Sequence, residues 1–463
     1  MLRPFITRRT ILSANMRVFL ALSALAGLAS AIRLPPQIRS AGRPHVVEFR
    51  VKRDGRKASH NPAVFNGSII NQGDQSYLTS AHIGSGTHNV TLVLDTGSSD
   101  LWVSDSRKLT VNNISRDEGV NLTYGLGSAI GNIAYAPVSV GTYRIPSQAL
   151  VIANDTEQLD VEGILGLGFD SASQIYNTTG NASEAVTPLS NLFAQNASAT
   201  NSSNFIALDL SRGPDGETTI GGAFTISQYL SDYGSVADQP QLPVTPANST
   251  NWSVAVDGVN VNGQSYNISQ DAPEGSNATA VIDSGTSLAL VSSNLSDFIY
   301  QNISGARSCQ SDQGQVWVVP CLNASNVTFQ FGGQQYPINP LDLTTVQTYS
   351  VNQSTTVAVC LGVFTGVGNV SPTLADIPFY ILGDSFMRNV YTSFNFGNNT
   401  LAGNFSSSDT GPSVQFLSKS NDTNATYSEF LTQRQQTLSK MDASPIDPSS
   451  ADCSSVQSLL SKA

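Results

Sequence analysis

One heptapeptide occurs twice in this chain with little change. Val93-Leu94-Asp95-Thr96-Gly97-Ser98-Ser99 is matched by Val281-Ile282-Asp283-Ser284-Gly285-Thr286-Ser287, 188 positions further on (283 − 95). Each copy is an apolar pair, an Asp, a small hydroxyl residue, a Gly, then two more hydroxyl residues. Two equivalent loops on two equivalent halves can bring two Asp side chains together on a pseudo-two-fold axis. Two carboxyls so placed cannot both ionise easily, so they share a proton, and one can serve as base while the other serves as acid.

The rest of the chain fits two such halves. At 463 residues it can hold two or three domains and a large core. Charged residues make up 12% and hydrophobic residues 40%, a globular composition. A net charge of −11 leaves no basic patch for phosphates, so nucleic acid is not an expected partner. The N-terminus reads as a secretory signal over residues 1–31. Arg17 precedes the apolar run Val18–Ala31, which ends in the small-x-small sequence Ala29-Ser30-Ala31. Either residues 1–15 form a long basic lead or Met16 is the start. Roughly twenty N-x-S/T sequons run from Asn66 to Asn424, in keeping with a secreted glycoprotein. No apolar tail follows Cys453, so no lipid anchor is expected. The expected location is extracellular, with the vacuole or cell wall as alternatives.

Residues 32–58 are basic and contain Lys52-Arg53 and Arg56-Lys57, the pattern of a propeptide with a dibasic processing site. From about 63 to 405, short runs of Val, Ile, Thr, Tyr and Phe alternate with Gly, Asn, Ser and Pro, which predicts a mainly antiparallel all-β protein. One helix is expected over Ser293–Ile303, stopped by Gly305. A second repeat supports duplication. Gly163-Ile164-Leu165-Gly166 follows the first Asp loop, and Tyr380-Ile381-Leu382-Gly383 follows the second. The boundaries read as 59–235 for the first lobe, with the crossing near Gly221–Pro246, and 236–405 for the second. Residues 406–463 read as a Ser/Asn/Thr-rich tail with one helix, Tyr427–Met441, opened by a Thr426-x-x-Glu429 capping box.

The four histidines are His45, His60, His82 and His88, and none follows position 88. No His lies among or after the candidate nucleophiles, which argues strongly against a Ser-His-Asp hydrolase. The usual His and Cys zinc clusters are missing too, and no metal or cofactor is expected. Gly125-Leu126-Gly127 with Gly131 echoes a nucleotide loop, but the spacing favours a hairpin. A third Asp-Thr-Gly, Asp409-Thr410-Gly411, follows serines instead of an apolar strand and reads as a turn in the tail.

With these motifs in hand, the chain resembles the pepsin-like aspartic endopeptidases, most closely their secreted fungal members, over roughly residues 75–405. The resemblance rests on Asp95-Thr96-Gly97-Ser98-Ser99-Asp100-Leu101-Trp102-Val103, Tyr124-Gly125-Leu126-Gly127-Ser128, Glu162 to Gly168, Asp283-Ser284-Gly285-Thr286-Ser287 and Ile381-Leu382-Gly383-Asp384, in the family's order. It implies a bilobal all-β fold of two barrel-like lobes around a central cleft. It implies a monomer that acts on protein or peptide substrates and is inhibited by pepstatin-like compounds. Asp95 and Asp283 would activate a water. Gly97 and Gly285 would hold the two carboxylates coplanar, and Ser98 and Thr286 would bond their outer oxygens. Thr96 and Ser284 would tie the loops together. Tyr124, Gly125 and Leu126 would form a flap over substrate, with the Trp102 ring N–H bonded to the Tyr124 phenol. Cys321 and Cys360 fall where the family closes a loop. Cys309 and Cys453 remain as candidates for a second bridge pinning the tail, although sequence does not settle the connectivity.

The chain also departs from the family. The segment from Trp102 to Tyr124 is short and has no Cys, which would leave the approach to the flap more open. Leu126 stands where relatives that accept a basic residue before the cut often carry a carboxylate, so large apolar residues are the expected preference. The shortened segment keeps one alternative in view: a weak or inactive pepsin-like protein that uses its cleft to hold peptide or glycan.

Overall fold

A computed structural model describes residues 67–449 and Cys453. Within that span, 86–88, 105–108, 110, 126, 158, 160, 197–203, 216, 273–276, 312–313, 353–354, 367–378, 398–410 and 420–422 are not described. The expected signal, the propeptide with its dibasic pairs, Leu126 and Asp409-Thr410 lie outside the described residues.

The first half is built from β1 (Gly67–Gln72), β2 (Tyr77–Ile83), β3 (Asn89–Asp95), β4 (Leu101–Ser104), β5 (Asn112–Thr123), β6 (Ser128–Val140), β7 (Tyr143–Glu157), β8 (Gly163–Gly166), β9 (Phe205–Asp209) and β10 (Thr218–Ile226). Strands β2, β3, β8, β4, β7 and β6 pair in that order. Because β2 also pairs with β6, the six close into a barrel. Alternation along β2 and β6 sends one side of each strand inward, where Ala81, Ile83, Ala134, Ala136 and Val138 are buried. Helix α1 (Gln174–Thr178) packs on β5 from outside the barrel, and α2 (Pro188–Asn196) packs on β7.

After the connection that includes β11 (Leu242–Pro243), the second half begins with β12 (Ser253–Ala255), β13 (Gly258–Val261), β14 (Gln264–Tyr266), β15 (Thr279–Ile282) and β16 (Ala289–Val291). Helix α3 (Ser293–Gln301) follows, as the sequence pattern predicts. The Ser292 side chain caps it by accepting from Leu295 N, and Leu295 and Ile299 are buried. Next come β17 (Arg307–Ser311), β18 (Gly314–Val319), β19 (Val327–Phe331), β20 (Gln334–Ile338), β21 (Thr344–Asn352), β22 (Thr355–Gly362), β23 (Phe364–Gly366) and β24 (Phe379–Leu382). The short helix α4 (Asp384–Met387), β25 (Val390–Asn395) and β26 (Ser413–Ser418) complete this half.

The two halves share a sheet. In the order β11-β26-β25-β9-β10-β1, three strands come from each side, and the seam is the antiparallel pair β9–β25, with Ile206 opposite Phe394. Under this sheet Trp252 packs against Phe169 and Phe396 at ring-centroid distances of 4.3 and 4.7 Å. Its ring N–H donates to the Leu167 carbonyl at 3.2 Å. Burying each such aromatic is worth roughly 1.5–3 kcal/mol, so the join between the halves is itself part of the core.

The reading of residues 406–463 as a plain tail changes here. Strand β26 lies inside the shared sheet, with Val414 and Phe416 fully buried. Its alternating apolar positions won over the Ser/Asn/Thr composition around them. Helix α5 spans Thr423–Lys440, so it is already running at Thr426, and the expected capping box has no terminus to cap. Past the helix, β27 (Ser444–Pro445) pairs with β22. Two disulfides close this region, Cys321–Cys360 and Cys309–Cys453. Among the described residues, no helix is long and apolar enough to cross a membrane.

Candidate active site

The two Asp loops occupy equivalent places in the two halves. Strand β3 runs parallel to β8, with Val93 opposite Ile164 and Leu94 opposite Leu165. Strand β15 runs parallel to β24, with Val281 opposite Ile381 and Ile282 opposite Leu382. The strand after each loop pairs antiparallel to the same neighbour, Leu101 opposite Leu165 and Ala289 opposite Leu382. Both repeats read from the sequence are therefore a single structural unit, an Asp strand held by an Ile-Leu-Gly strand.

The structure brings the two loops together. Thr96 N donates to Ser284 Oγ at 3.1 Å, and Ser284 N donates to Thr96 Oγ1 at 2.9 Å. Each hydroxyl then donates to a carbonyl of the opposite strand, Thr96 Oγ1 to Ile282 O and Ser284 Oγ to Leu94 O, both at 2.8 Å. Gly97 N donates to Asp95 Oδ1 and Gly285 N to Asp283 Oδ1, each at 2.8 Å. Ser98 Oγ donates to Asp95 Oδ2 at 2.5 Å, and Thr286 Oγ1 donates to Asp283 Oδ2 at 2.6 Å. The glycines are needed for closeness as well. A Cβ on Gly97 would lie 2.5 Å from Asp283 Oδ1, and one on Gly285 would lie 2.3 Å from Asp95 Oδ1. Each carboxylate thus rests against the opposite loop's glycine.

Asp95 and Asp283 are 6% and 3% exposed, too little for water to screen one from the other. Burial, then the neighbouring Asp283 charge, pushes the Asp95 carboxyl well above the ordinary carboxylate range, against the opposing pull of the Ser98 and Gly97 hydrogen bonds. Asp95 therefore holds its proton where an isolated carboxyl has lost it. Among the described residues, no group of three or more His, Cys, Asp or Glu side chains could hold a metal.

Tyr124 directly follows β5 at the tip of the β5–β6 hairpin, where Tyr124 N donates to Gly127 O at 3.0 Å. The chain therefore reverses between Tyr124 and Gly127, as the hairpin reading of the spacing expects, and Gly127 takes a positive φ of 78°. The Tyr124 ring is partly buried and packs on the cluster that contains Trp102, Val120, Leu122 and Ile175. Burial, then the charges of Asp100 and Asp95, raise its phenol well above the usual value, while Trp102 and Ser98 act the other way. The buried indole Nε1 has no hydrogen-bond partner of regular geometry among the described residues, although Trp102 stands close enough to the phenol to lower its pKa.

Two further carboxyls stand out that the repeat did not flag as individuals. Asp384, after the second Ile-Leu-Gly, is fully buried, and neither of its oxygens has a hydrogen-bond partner among the described residues. Burial raises it far above a normal carboxyl, and the Arg388 charge offsets only part of that. Asp342 takes the opposite course. Burial alone would raise it, but Arg212 and Arg388, both hydrogen-bonded to it, hold it below its ordinary value. Arg212 precedes β10 while Arg388 follows α4, so this carboxylate joins the two halves behind the Asp pair.

This arrangement has counterparts in known proteins. The model of the family described as eukaryotic aspartyl protease matches residues 76–403. The chain is 26% identical over 367 residues to major aspartyl peptidase 1 of Cryptococcus neoformans, covering 74% of this chain and 71% of that one. It is 28% identical over 380 residues to the aspartic-type endopeptidase ctsD of Aspergillus fumigatus, covering 76% and 72%. It is 28% identical over 357 residues to pepsin A of Bos taurus, covering 71% and 83%.

Proposed function

Because the chain belongs to the eukaryotic aspartyl protease family, an aspartic-type endopeptidase family, we propose that it is a secreted enzyme cutting peptide bonds at acid pH, with Asp95 and Asp283 as its general acid–base pair. The observation that carries this reading is the matched hydrogen bonding of the two carboxylates, each packed on the opposite loop's glycine. One carboxylate takes a proton from a water as that water attacks the scissile carbonyl. The protonated partner supports the oxygen on which charge develops and later returns a proton to the leaving amine. No covalent intermediate forms. Ser98 and Thr286 fix the outer oxygens, and Thr96 and Ser284 keep the loops in register. Tyr124 closes over the bound peptide and sheds water from the cleft.

Acid function accords with a dyad that keeps its shared proton and with a sequence pI of about 4.7. Secretion rests on the N-terminal signal pattern, the sequons and the two disulfides. Maturation at Lys52-Arg53 and a preference for large apolar residues beside the cut complete the proposal. The test uses processed protein with denatured haemoglobin or casein across acid pH, with and without pepstatin. We expect pepstatin-sensitive cleavage, lost by at least about a thousandfold in Asp95→Asn. A correctly processed protein that cleaves neither substrate overturns the enzyme and leaves the binding alternative.

A further inference from the structure

The spacing of 188 that aligns the two Asp loops fails at one polar position. It maps Asp95 on Asp283, Gly97 on Gly285 and Ser98 on Thr286, but it maps Asp100 on Leu288. Both are buried, at 5% and 9% exposure. Leu288 belongs to the apolar core that runs through both halves. Asp100 puts a carboxylate at the same place in the first half.

That carboxylate is fully engaged. Ser173 Oγ donates to Asp100 Oδ1 at 2.6 Å, Gln174 N to Oδ2 at 2.8 Å, and Ile175 N to Oδ1 at 3.1 Å. These are the capping residue and the first two residues of α1. Ser173 Oγ in turn accepts from Tyr176 N at 2.9 Å, so the cap of the helix is held by the Asp. Helix α1 then packs on β5, and Ile175 is buried with Val120 and Leu122 of that strand, four and two positions before Tyr124. A continuous run of contacts therefore leads from the first Asp loop through α1 to the base of the hairpin.

The geometry points to Asp100 as a positioning residue for the Tyr124 hairpin, which it holds over the cleft by anchoring α1 beneath β5. Leu at this place would give α1 no acceptor. The role rests on the endopeptidase reading, in that closure of Tyr124 on substrate is what Asp100 serves.

Asp100→Asn tests it. The amide keeps the shape, but its NH2 faces an N–H donor of α1, so at least one bond is replaced by a donor–donor conflict. We expect KM for a peptide substrate to rise about tenfold while kcat stays within roughly twofold. In a Tyr124→Ala background the same substitution should change KM by less than about twofold, because the hairpin it positions no longer acts. Hydrogen exchange without substrate should show faster exchange over 120–124 in Asp100→Asn and unchanged exchange in β15 and β24. Equal effects of Asp100→Asn in both backgrounds, or an unchanged hairpin exchange rate, overturn the inference. Should Asp100→Asn fail to fold, Ser173→Ala removes one donor to the carboxylate together with the acceptor of Tyr176 N and is read in the same cycle, with Ser173→Thr expected to restore both. A wild type that cleaves nothing defeats the endopeptidase reading instead, and the exchange measurement still decides whether Asp100 holds the hairpin.

Discussion

The two Asp loops are alike where they meet and different where they face away from each other. At the contact, every bond has its twin, whether glycine N–H to inner oxygen, hydroxyl to outer oxygen, or hydroxyl to opposite carbonyl. Five residues past each Asp the likeness ends, and the first loop is tied to α1 and a hairpin while the second settles into an apolar core. Chemistry that needs two interchangeable carboxylates constrains the meeting point. Handling of substrate needs only one lid, so the surroundings are free to diverge.

The severest test of the matched contact is to add one carbon to it. Neither Gly97 nor Gly285 has a positive φ, so Ala meets no backbone penalty, and the whole cost is collision with the opposite carboxylate. Displacing a reacting group by about 1 Å can cost a hundredfold. We expect Gly285→Ala and Gly97→Ala each to lower kcat/KM by about that factor while leaving the fold intact. Gly234→Ala, where nothing lies within 4 Å, serves as control. A large loss in one variant and none in the other would mean that the two carboxylates are not equivalent in their setting.

A smaller effect sharpens the same comparison by removing the outer hydrogen bonds, with Ser98→Ala in the first loop and Thr286→Val in the second. Each should cost about tenfold in kcat, the scale of one charge-assisted bond. The Ser98 bond favours the charged form of Asp95 and so lowers its pKa, and its loss lets the carboxyl keep its proton to higher pH. The alkaline limb of the rate profile should therefore move upward in Ser98→Ala even as the maximum falls. An equal upward move in Thr286→Val would show the pair titrating with no preferred side. A downward move in Ser98→Ala would contradict the hydrogen bond's assigned role.

What could be read from sequence follows the same division. The Asp loops, their Ile-Leu-Gly partners and the hairpin turn are legible because each is specified by residues adjacent in the chain. The α3 helix is legible for the same reason, through its period, although it ends at Gln301, short of the expected stop at Gly305. Asp100 is visible only once the copies are aligned beyond the repeat, where Leu288 stands against it. How the Trp102 indole meets the Tyr124 phenol depends on the exact height of a hairpin, which no local pattern encodes. Strand β26 was obscured by its polar setting, although Val414 and Phe416 carry the period of two. The Cys309–Cys453 bridge needs the path of α5 and β27, which comes from packing across the second half.

The smallest expected effect on catalysis belongs to the contact that joins the halves farthest from the Asp pair in sequence. Arg434 of α5 has a fully buried side chain, with Nη1 donating to Thr344 Oγ1 at 2.8 Å and Nη2 to Thr344 O at 3.2 Å, both in the second half. Its Nε lies 2.9 Å from Asp215 Oδ2 in the segment between β9 and β10, and Lys440 reaches Glu217 in the same segment at 2.7 Å. The exposed Lys440–Glu217 pair contributes little, whereas loss of Arg434 leaves Asp215 a mostly buried charge without its counterion. We expect Arg434→Met to lower stability by about 3 kcal/mol in denaturant unfolding, with kcat/KM in buffer within about twofold of wild type. Adding Asp215→Asn should recover part of that loss, since the stranded charge is then gone. If Arg434→Met instead lowers kcat/KM as far as Ser98→Ala does, the link behind the cleft governs how the two loops meet, and the matched contact at Thr96 and Ser284 is not sufficient to hold them.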